Sequence, residues 1–379
     1  MRKMHVVLSA PSMFRFMSGQ PARLRQIGYD ISVVAAESSS LDKSCQQEGC
    51  SRIKLEIPRN ITLVRDLIAF IQLTQLWIRS RPDAVMLSGP KAIFLGSIAA
   101  FIADVPVRLS IYHGMRQQTL KFPLRTLINW CDRVAFLAST TVLAVSKSLV
   151  DAIKAECNDP LNKVVPISPG TANGINFNSL SENEEKIALV RNQVRGKFGI
   201  GNADNVLLFL ARITEDKGLV ELPYIYAKIL ERHPNTHMLM VGAQEVITTE
   251  GIKAFDKLSL HPKVHLVGHV EDVETYYAAA DVLVFPSHRE GFGMAIIEAG
   301  FLRRPTVAYN VTGVKDAVVN GVTGTLVNFA NLDQFVTALS MYMNDYTFRK
   351  EHGNAARNHA MTFSADAVWE NYRAILEPH

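Results

Sequence analysis

Short apolar runs alternate along this chain with longer segments whose apolar positions recur every three or four residues. In the first half, the runs at 5–9, 31–36, 84–88, 107–112 and 141–145 predict strands. The periodic segments at 63–79, 90–103, 124–138 and 147–157 predict helices between them. Strands separated by helix-length segments predict βαβ units and a parallel sheet. Strands apolar at nearly every position predict burial on both sheet faces. The pattern breaks over 166–185, where Pro169, Gly170, Asn173 and Gly174 precede a polar, charged run. It then restarts: strands are predicted at 206–211, 237–241, 264–267, 282–285, 306–309 and 325–327, and helices at 219–233, 273–280, 294–301 and 332–343. The chain therefore reads as two α/β domains, 1–172 and 173–360. A tail over 361–379 follows, with a helix at 365–376. Its stripe Val368, Trp369, Tyr372 and Leu376 must pack on one of the two domains, crossing back if on the first.

Length supports this division, since single cores stop growing at roughly 250–300 residues and the chain has 379. A composition 48% hydrophobic and 20% charged excludes a disordered chain. Charge is unevenly spread: residues 1–170 hold 21 Lys and Arg against 12 Asp and Glu, and the remainder 19 against 24. A basic first half suits an anionic partner, whether phosphate, a membrane surface or nucleic acid; the plainer reading is a solvated surface that is simply basic. The spacing of Cys45, Cys50, Cys131 and Cys157 fits no metal or redox motif, so free thiols in a reducing compartment are expected. The apolar run at 6–8 is too short for a signal peptide. The stretch at 92–103 falls short of the ~20 residues a membrane span needs. A cytoplasmic protein that touches the inner face of a membrane without crossing it is expected.

Two segments carry candidate chemistry. Phe285-Pro286-Ser287-His288-Arg289-Glu290-Gly291-Phe292-Gly293-Met294 follows a buried strand and leads into a helix containing Glu298. Glycines at 291 and 293 allow a sharp turn, and the helix start aims amides and dipole at the same space. Ionised carboxylates only accept hydrogen bonds, so Glu290 and Glu298 suit a ligand rich in hydroxyls. The second segment, Ala211-Arg212-Ile213-Thr214-Glu215-Asp216-Lys217-Gly218, ends another strand with two cations suited to a diphosphate. Each of these residues taken alone is more simply a strand-end charge or a helix-start acid. His265 and His269 are four apart but fall on a strand pattern, so no metal site is expected there. Gly-x-Gly-x-x-Gly does not follow the first strand, which argues against a nicotinamide enzyme.

Together, Arg-x4-Lys-Gly and Glu-x7-Glu enclosing Gly-Phe-Gly resemble the retaining glycosyltransferases of family 4, which have the GT-B fold: two Rossmann-like domains with parallel sheets facing across a cleft. The resemblance covers nearly all of 200–330, including Val267-Gly268-His269-Val270 and Ala280-Asp281-Val282, and continues more weakly through 1–170. It implies that Arg212 and Lys217 bind the donor diphosphate, that Glu298 accepts from the ribose and Glu290 from the donor sugar. It further implies that amides of Gly291, Phe292, Gly293 and Met294 hold hydroxyls or phosphate oxygens, with Val270 near the base. In the first domain, Gly19 falls where the family closes a loop over the diphosphate, here with one glycine instead of a pair. His113 resembles the family histidine lining the donor sugar. Arg116 is assigned to an acceptor phosphate. Asn173-Gly174-Ile175-Asn176 resembles the interdomain Asn-Gly-Val-Asp, with Asn for Asp.

The implied activity is metal-independent, retaining transfer from a nucleotide diphosphate-sugar, with uridine the commoner base. Hexose or N-acetylhexosamine would pass to a glycan or polyprenyl-diphosphate-linked glycan, in surface polysaccharide, O-antigen or glycoprotein glycan assembly. No cofactor and no nucleic acid partner is implied. A GT-B epimerase and a non-catalytic nucleotide-sugar binder remain as rivals; both would dispense with an acceptor.

Overall fold

Two sheets, parallel throughout, organise the computed structural model, which describes all residues except 59, 116, 118–119, 158, 160, 168–169, 172, 176–182, 247 and 377–379. The first sheet contains β1 (Arg2–Leu8), β2 (Tyr29–Ala35), β3 (Ser51–Lys54), β4 (Ala84–Ser88), β5 (Val107–Tyr112), β6 (Thr141–Ala144) and β7 (Val164–Pro166). Their order across the sheet is β3-β2-β1-β4-β5-β6-β7. The second contains β8 (Asn205–Leu210), β9 (Thr236–Val241), β10 (Val264–Gly268), β11 (Val282–Phe285), β12 (Thr306–Tyr309) and β13 (Gly324–Val327), in the order β10-β9-β8-β11-β12-β13. Each sheet grows outward from its first strand, then reverses to the other side. The reversals fall between β1 and β4 and between β8 and β11. Open α/β sheets bind ligands just beyond the strand ends at such reversals.

The chain divides into two compact units, Met1–Gly174 with Ala365–His379, and Ile175–Ser364. The final helix, Ala365–Leu376, buries Val368, Trp369, Tyr372 and Leu376. It is tied within the first unit by an Arg23–Asp366 ion pair at 2.5 Å and by Tyr29 Oη donating to the Leu376 carbonyl.

Central strands read as expected because both faces are covered: every residue of β4, β9, β11 and β12 is buried. At its amino end β11 is braced by buried Asp281, whose Oδ2 accepts from Arg195 and from the β8 amide of Val206, at 2.9 and 2.8 Å. Burial pushes that carboxyl upward, but Arg191, Arg195 and Arg349 outweigh it and hold it below the usual range. This brace sets β11 beside β8 and so fixes the spacing of the loops at their far ends.

Three expectations need correction. Two edge strands carry no alternating or continuous apolar signal: β3 has no buried residue, and β7 ends in Pro166, which an edge tolerates. The break expected from residue 166 thus starts inside β7. The helix expected from residue 219 begins at Leu222, with Pro223 in its first turn, where a missing amide costs nothing. Before it, Glu215–Lys217 forms a separate 3₁₀ turn.

Candidate active site

At the reversal of the second sheet, two loops meet: one leaves β8 through Arg212 to Lys217, the other leaves β11 through Pro286 to Gly293. Their approach is close. Gly218 has φ +86°, and a Cβ there would lie 2.3 Å from the Pro286 carbonyl, so only glycine fits. The His288 amide donates to the Asp216 carbonyl at 3.0 Å, pinning the loops together.

Across this junction Lys217 Nζ donates to Glu290 Oε1 at 2.6 Å, and both side chains are largely buried, at 14% and 17% exposure. Ser287 Oγ donates to the same carboxylate oxygen at 2.9 Å and lies 3.5 Å from Lys217 Nζ. Asp216 adds a second acid, accepting from Thr214 Oγ1 at 2.6 Å and facing Arg289 at 3.5 Å. Burial raises its pKa, but the Thr214 hydroxyl, Lys217, Arg289 and Arg212 together bring it below the usual carboxylate range. The junction is therefore a compact set of fixed charges at the carboxyl end of the sheet.

The other expected residues sit differently. Arg212 pairs with Glu245 at 2.8 Å, both about half exposed. Exposed pairs are worth about 0–1 kcal/mol, so this one holds Arg212 only weakly. Glu298, on the helix Met294–Phe301, accepts from buried Tyr277 Oη at 2.8 Å. Of the four charged residues expected together, Lys217 and Glu290 pair directly. Gly293 caps that helix at φ +91°, a conformation glycine adopts without strain, and first-turn amides have no acceptor within a helix. Gly291 and Phe292 are buried, and the Phe292 ring packs 4.9 Å from Phe363, so its side chain belongs to the core. Val270 lies two residues past the end of β10 and is half-buried. His265 meets His237 at 3.0 Å on neighbouring strands, while His269 is exposed beyond them.

The first unit has its own gathering at the β1/β4 reversal. His113, just past β5, places Nε2 2.9 Å from Ser88 Oγ at the end of β4, and its ring stacks on Phe16 at 4.8 Å. Burial lowers its pKa to about 4, so the imidazole is neutral near pH 7. Buried Asp132 holds the chain on either side of it, accepting from Tyr112 Oη at 2.8 Å and Gln117 Nε2 at 2.7 Å. Gly19 directs its amide to Glu48 Oε1 at 2.8 Å, so an internal carboxylate takes the place expected for phosphate. Arg116, Pro169 and Asn176 lie outside the described residues. Asn173 donates to the Ser18 carbonyl at 2.8 Å.

Sequence reasoning missed Ser287, Tyr277, Ser88 and Asp132. Ser287 stood inside a quoted motif without a role. The others are 20 to 25 residues from these partners, on separate elements, and no local pattern ties them to the site.

Residues 190–359 match the family described as Glycosyl transferases group 1, and residues 16–170 match the Glycosyl transferase 4-like domain. The capsular polysaccharide biosynthesis glycosyltransferase CapM of Staphylococcus aureus is 32% identical over 363 residues, spanning 95% of this chain and 92% of that protein. An Escherichia coli UDP-Gal:alpha-D-GlcNAc-diphosphoundecaprenol alpha-1,3-galactosyltransferase is 24% identical, spanning 84% and 81%. Among solved structures, Anabaena HepE in complex with UDP-glucose superposes with a TM-score of 0.80 at 18% identity, covering 99% of each chain, which gives the GT-B fold. With its two parallel-sheet units and matches to both halves, the chain belongs to the group 1 glycosyl transferases and is a glycosyltransferase of the GT-B fold.

Proposed function

We propose that this enzyme moves a hexose or N-acetylhexosamine, with retention, from a uridine diphosphate-sugar to a polyprenyl-diphosphate-linked glycan, in building a surface polysaccharide. Such an acceptor places the enzyme at the inner face of an anionic membrane. The observation that carries the reading is the Lys217–Glu290 pair, assembled from two loops at the reversal of the second sheet. A sugar diphosphate needs a cation for its phosphates and an acceptor for its hydroxyls, and the two stand 2.6 Å apart there. Similarity to CapM and to the Escherichia coli galactosyltransferase supports the polysaccharide and lipid-linked acceptor, and similarity to HepE with UDP-glucose supports the donor.

In this reading the donor phosphate competes with Glu290 for Lys217, and Arg212 leaves Glu245 to join it. Glu290, released, accepts from the donor sugar, and Glu298 from the ribose. Amides from Gly291 to Met294 hold oxygens at the helix start, and Val270 lines the base. As the bond from C1 to the diphosphate oxygen breaks, negative charge grows on the leaving phosphate. Lys217 and Arg212 are already placed to stabilise it and need no metal ion. The acceptor hydroxyl forms its bond to C1 on the same face and passes its proton to the leaving phosphate. His113, neutral, exchanges hydrogen bonds with the sugar in the first unit's share of the reaction, where the acceptor also binds.

Incubating the full chain with a panel of uridine and guanosine diphosphate-sugars, with and without polyprenyl-diphosphate glycan, tests this. Acceptor-dependent, chelator-insensitive transfer from a uridine donor is expected, with the product anomer matching the donor. Donor turnover that ignores the acceptor would sink the transferase assignment in favour of epimerisation or hydrolysis.

A further inference from the structure

We propose that three neighbouring helices of the first unit, Leu63–Ser80, Pro90–Ile102 and Leu124–Ala138, form a face that docks on an anionic lipid bilayer. The inference rests on the lipid-linked acceptor proposed above and assigns the surface that reaches it.

The first observation is apolar exposure on a scale the fold does not need. On the helix Leu63–Ser80, one stripe is buried through Ala69, Leu73 and Trp77. The opposite stripe is apolar as well: Leu63 is 83% exposed, Val64 73% and Leu67 56%, followed by Ile68 and Ile71. A helix serving only its own core turns polar residues outward. On Leu124–Ala138, Leu127 and Trp130 are exposed, at 53% and 58%. The middle helix, Pro90–Ile102, packs between these two and is mostly buried, so the exposed residues flank it on both sides. Large apolar side chains exposed in this number on neighbouring helices mark an interaction site.

Charge then selects the occupant. The three helices carry five cations, Arg65, Arg79, Lys91, Arg125 and Arg133, and two acids, Asp66 and Asp132. Both acids turn inward: Asp66 pairs with Lys91, and Asp132 is buried. With Lys91 taken up by Asp66 and Arg125 paired to Glu156 of the following helix, the outward face presents Arg65, Arg79 and Arg133 as exposed cations among apolar side chains, and these three helices carry no exposed carboxylate. A second copy docking through the same face by a twofold axis would oppose like charges with nothing to neutralise them. An anionic bilayer supplies the opposite charge and an apolar interior together. Trp130 has the amphipathic ring that settles at headgroup level.

Placement connects the face to the reaction. These helices run back against the strands, ending at Ser80, Ile102 and Ala138 shortly before β4, β5 and β6 begin at Ala84, Val107 and Thr141. Their N-terminal turns therefore lie at the carboxyl end of the sheet, where His113 sits. Leu63, Val64, Leu67 and Leu127 all fall in those N-terminal turns. The docking face borders the end of the first unit at which an acceptor would be presented.

The test uses the full chain and vesicles of phosphatidylcholine alone or mixed with phosphatidylglycerol. Co-sedimentation with the anionic vesicles at low salt is expected, weakening as salt rises. A blue shift in tryptophan emission is expected to vanish in Trp130→Phe, since Trp77 and Trp369 are buried. The double variant Leu67→Glu, Ile71→Glu alters exposed positions only. It should keep wild-type circular dichroism and transfer to a short water-soluble acceptor while partitioning at least about tenfold more weakly. Undiminished vesicle binding by that variant would overturn the proposal. So would an absence of wild-type binding, or a dimer in sedimentation that the variant dissolves. Loss of transfer to the soluble acceptor in the wild type would instead count against the transferase reading and leave the vesicle result standing.

Discussion

The two sheet reversals use the same topology for opposite electrostatics. At β8/β11 the strand ends deliver fixed charges, Lys217, Glu290, Asp216 and Arg289, locked to one another across two loops. At β1/β4 they deliver a neutral imidazole stacked on Phe16 and hydrogen-bonded to Ser88. Burial explains the second case: it lowers the His113 pKa to about 4, so the imidazole carries no charge near pH 7. The lesson is that one architecture presents a cluster of paired charges in one unit and a buried neutral imidazole in the other. What differs is the side chains placed on the first loop beyond each reversal.

The largest expected effect breaks the charged side. In the proposed mechanism Lys217 binds the diphosphate more strongly as it leaves, so Lys217→Met should lower kcat by about 10²–10³. It also strands Glu290 in a largely buried site, costing about 3–5 kcal/mol of stability in the single variant. Adding Glu290→Gln should restore much of that stability and none of the activity. Chemical denaturation beside initial-rate assays separates the two effects.

A smaller change sharpens the neutral side. Ser88→Ala deletes one neutral hydrogen bond to His113 and should reduce transfer by about tenfold, near the upper worth of such a bond. Because the imidazole is already neutral, kcat/KM of the wild type should show no ionisation of His113 between pH 6 and pH 8. A group titrating in that interval that disappears in His113→Gln would contradict the assignment.

The smallest effect is on stability with pH. Burial lowers His113 and also His5, which accepts from Trp77 Nε1 at 3.2 Å, to about 4 from 6.5. Their folded forms bind fewer protons than the unfolded chain across that window. Stability should therefore fall as pH drops from 6.5 toward 4, and His5→Gln should flatten the decline in thermal melts.

Much of this arrangement was legible in the sequence. Buried central strands announce themselves because both faces are apolar, as in β9 and β11. The edges β3 and β7 did not, since an edge strand needs little burial. Lys217 and Glu290 were found as neighbours because both stand on loops that leave central strands at a reversal. The Arg212 partner was not legible: Glu245 stands on another loop, 33 residues away, and no local pattern joins the two. Tyr277 and Asp132 were out of reach, because their roles come from contacts made only when distant helices pack. Gly19 shows a different limit, since nothing local announces that Glu48 takes its amide.

Calorimetric titration of uridine diphosphate into the wild type, Lys217→Met and Glu290→Gln tests the central claim most directly. If the diphosphate competes with Glu290 for the Lys217 ammonium, Lys217→Met should weaken binding by about ten- to a hundredfold, the worth of a hydrogen bond to a charged group. Glu290→Gln should leave binding equal or tighter. Weaker binding in Glu290→Gln, or unchanged binding in Lys217→Met, would contradict the account.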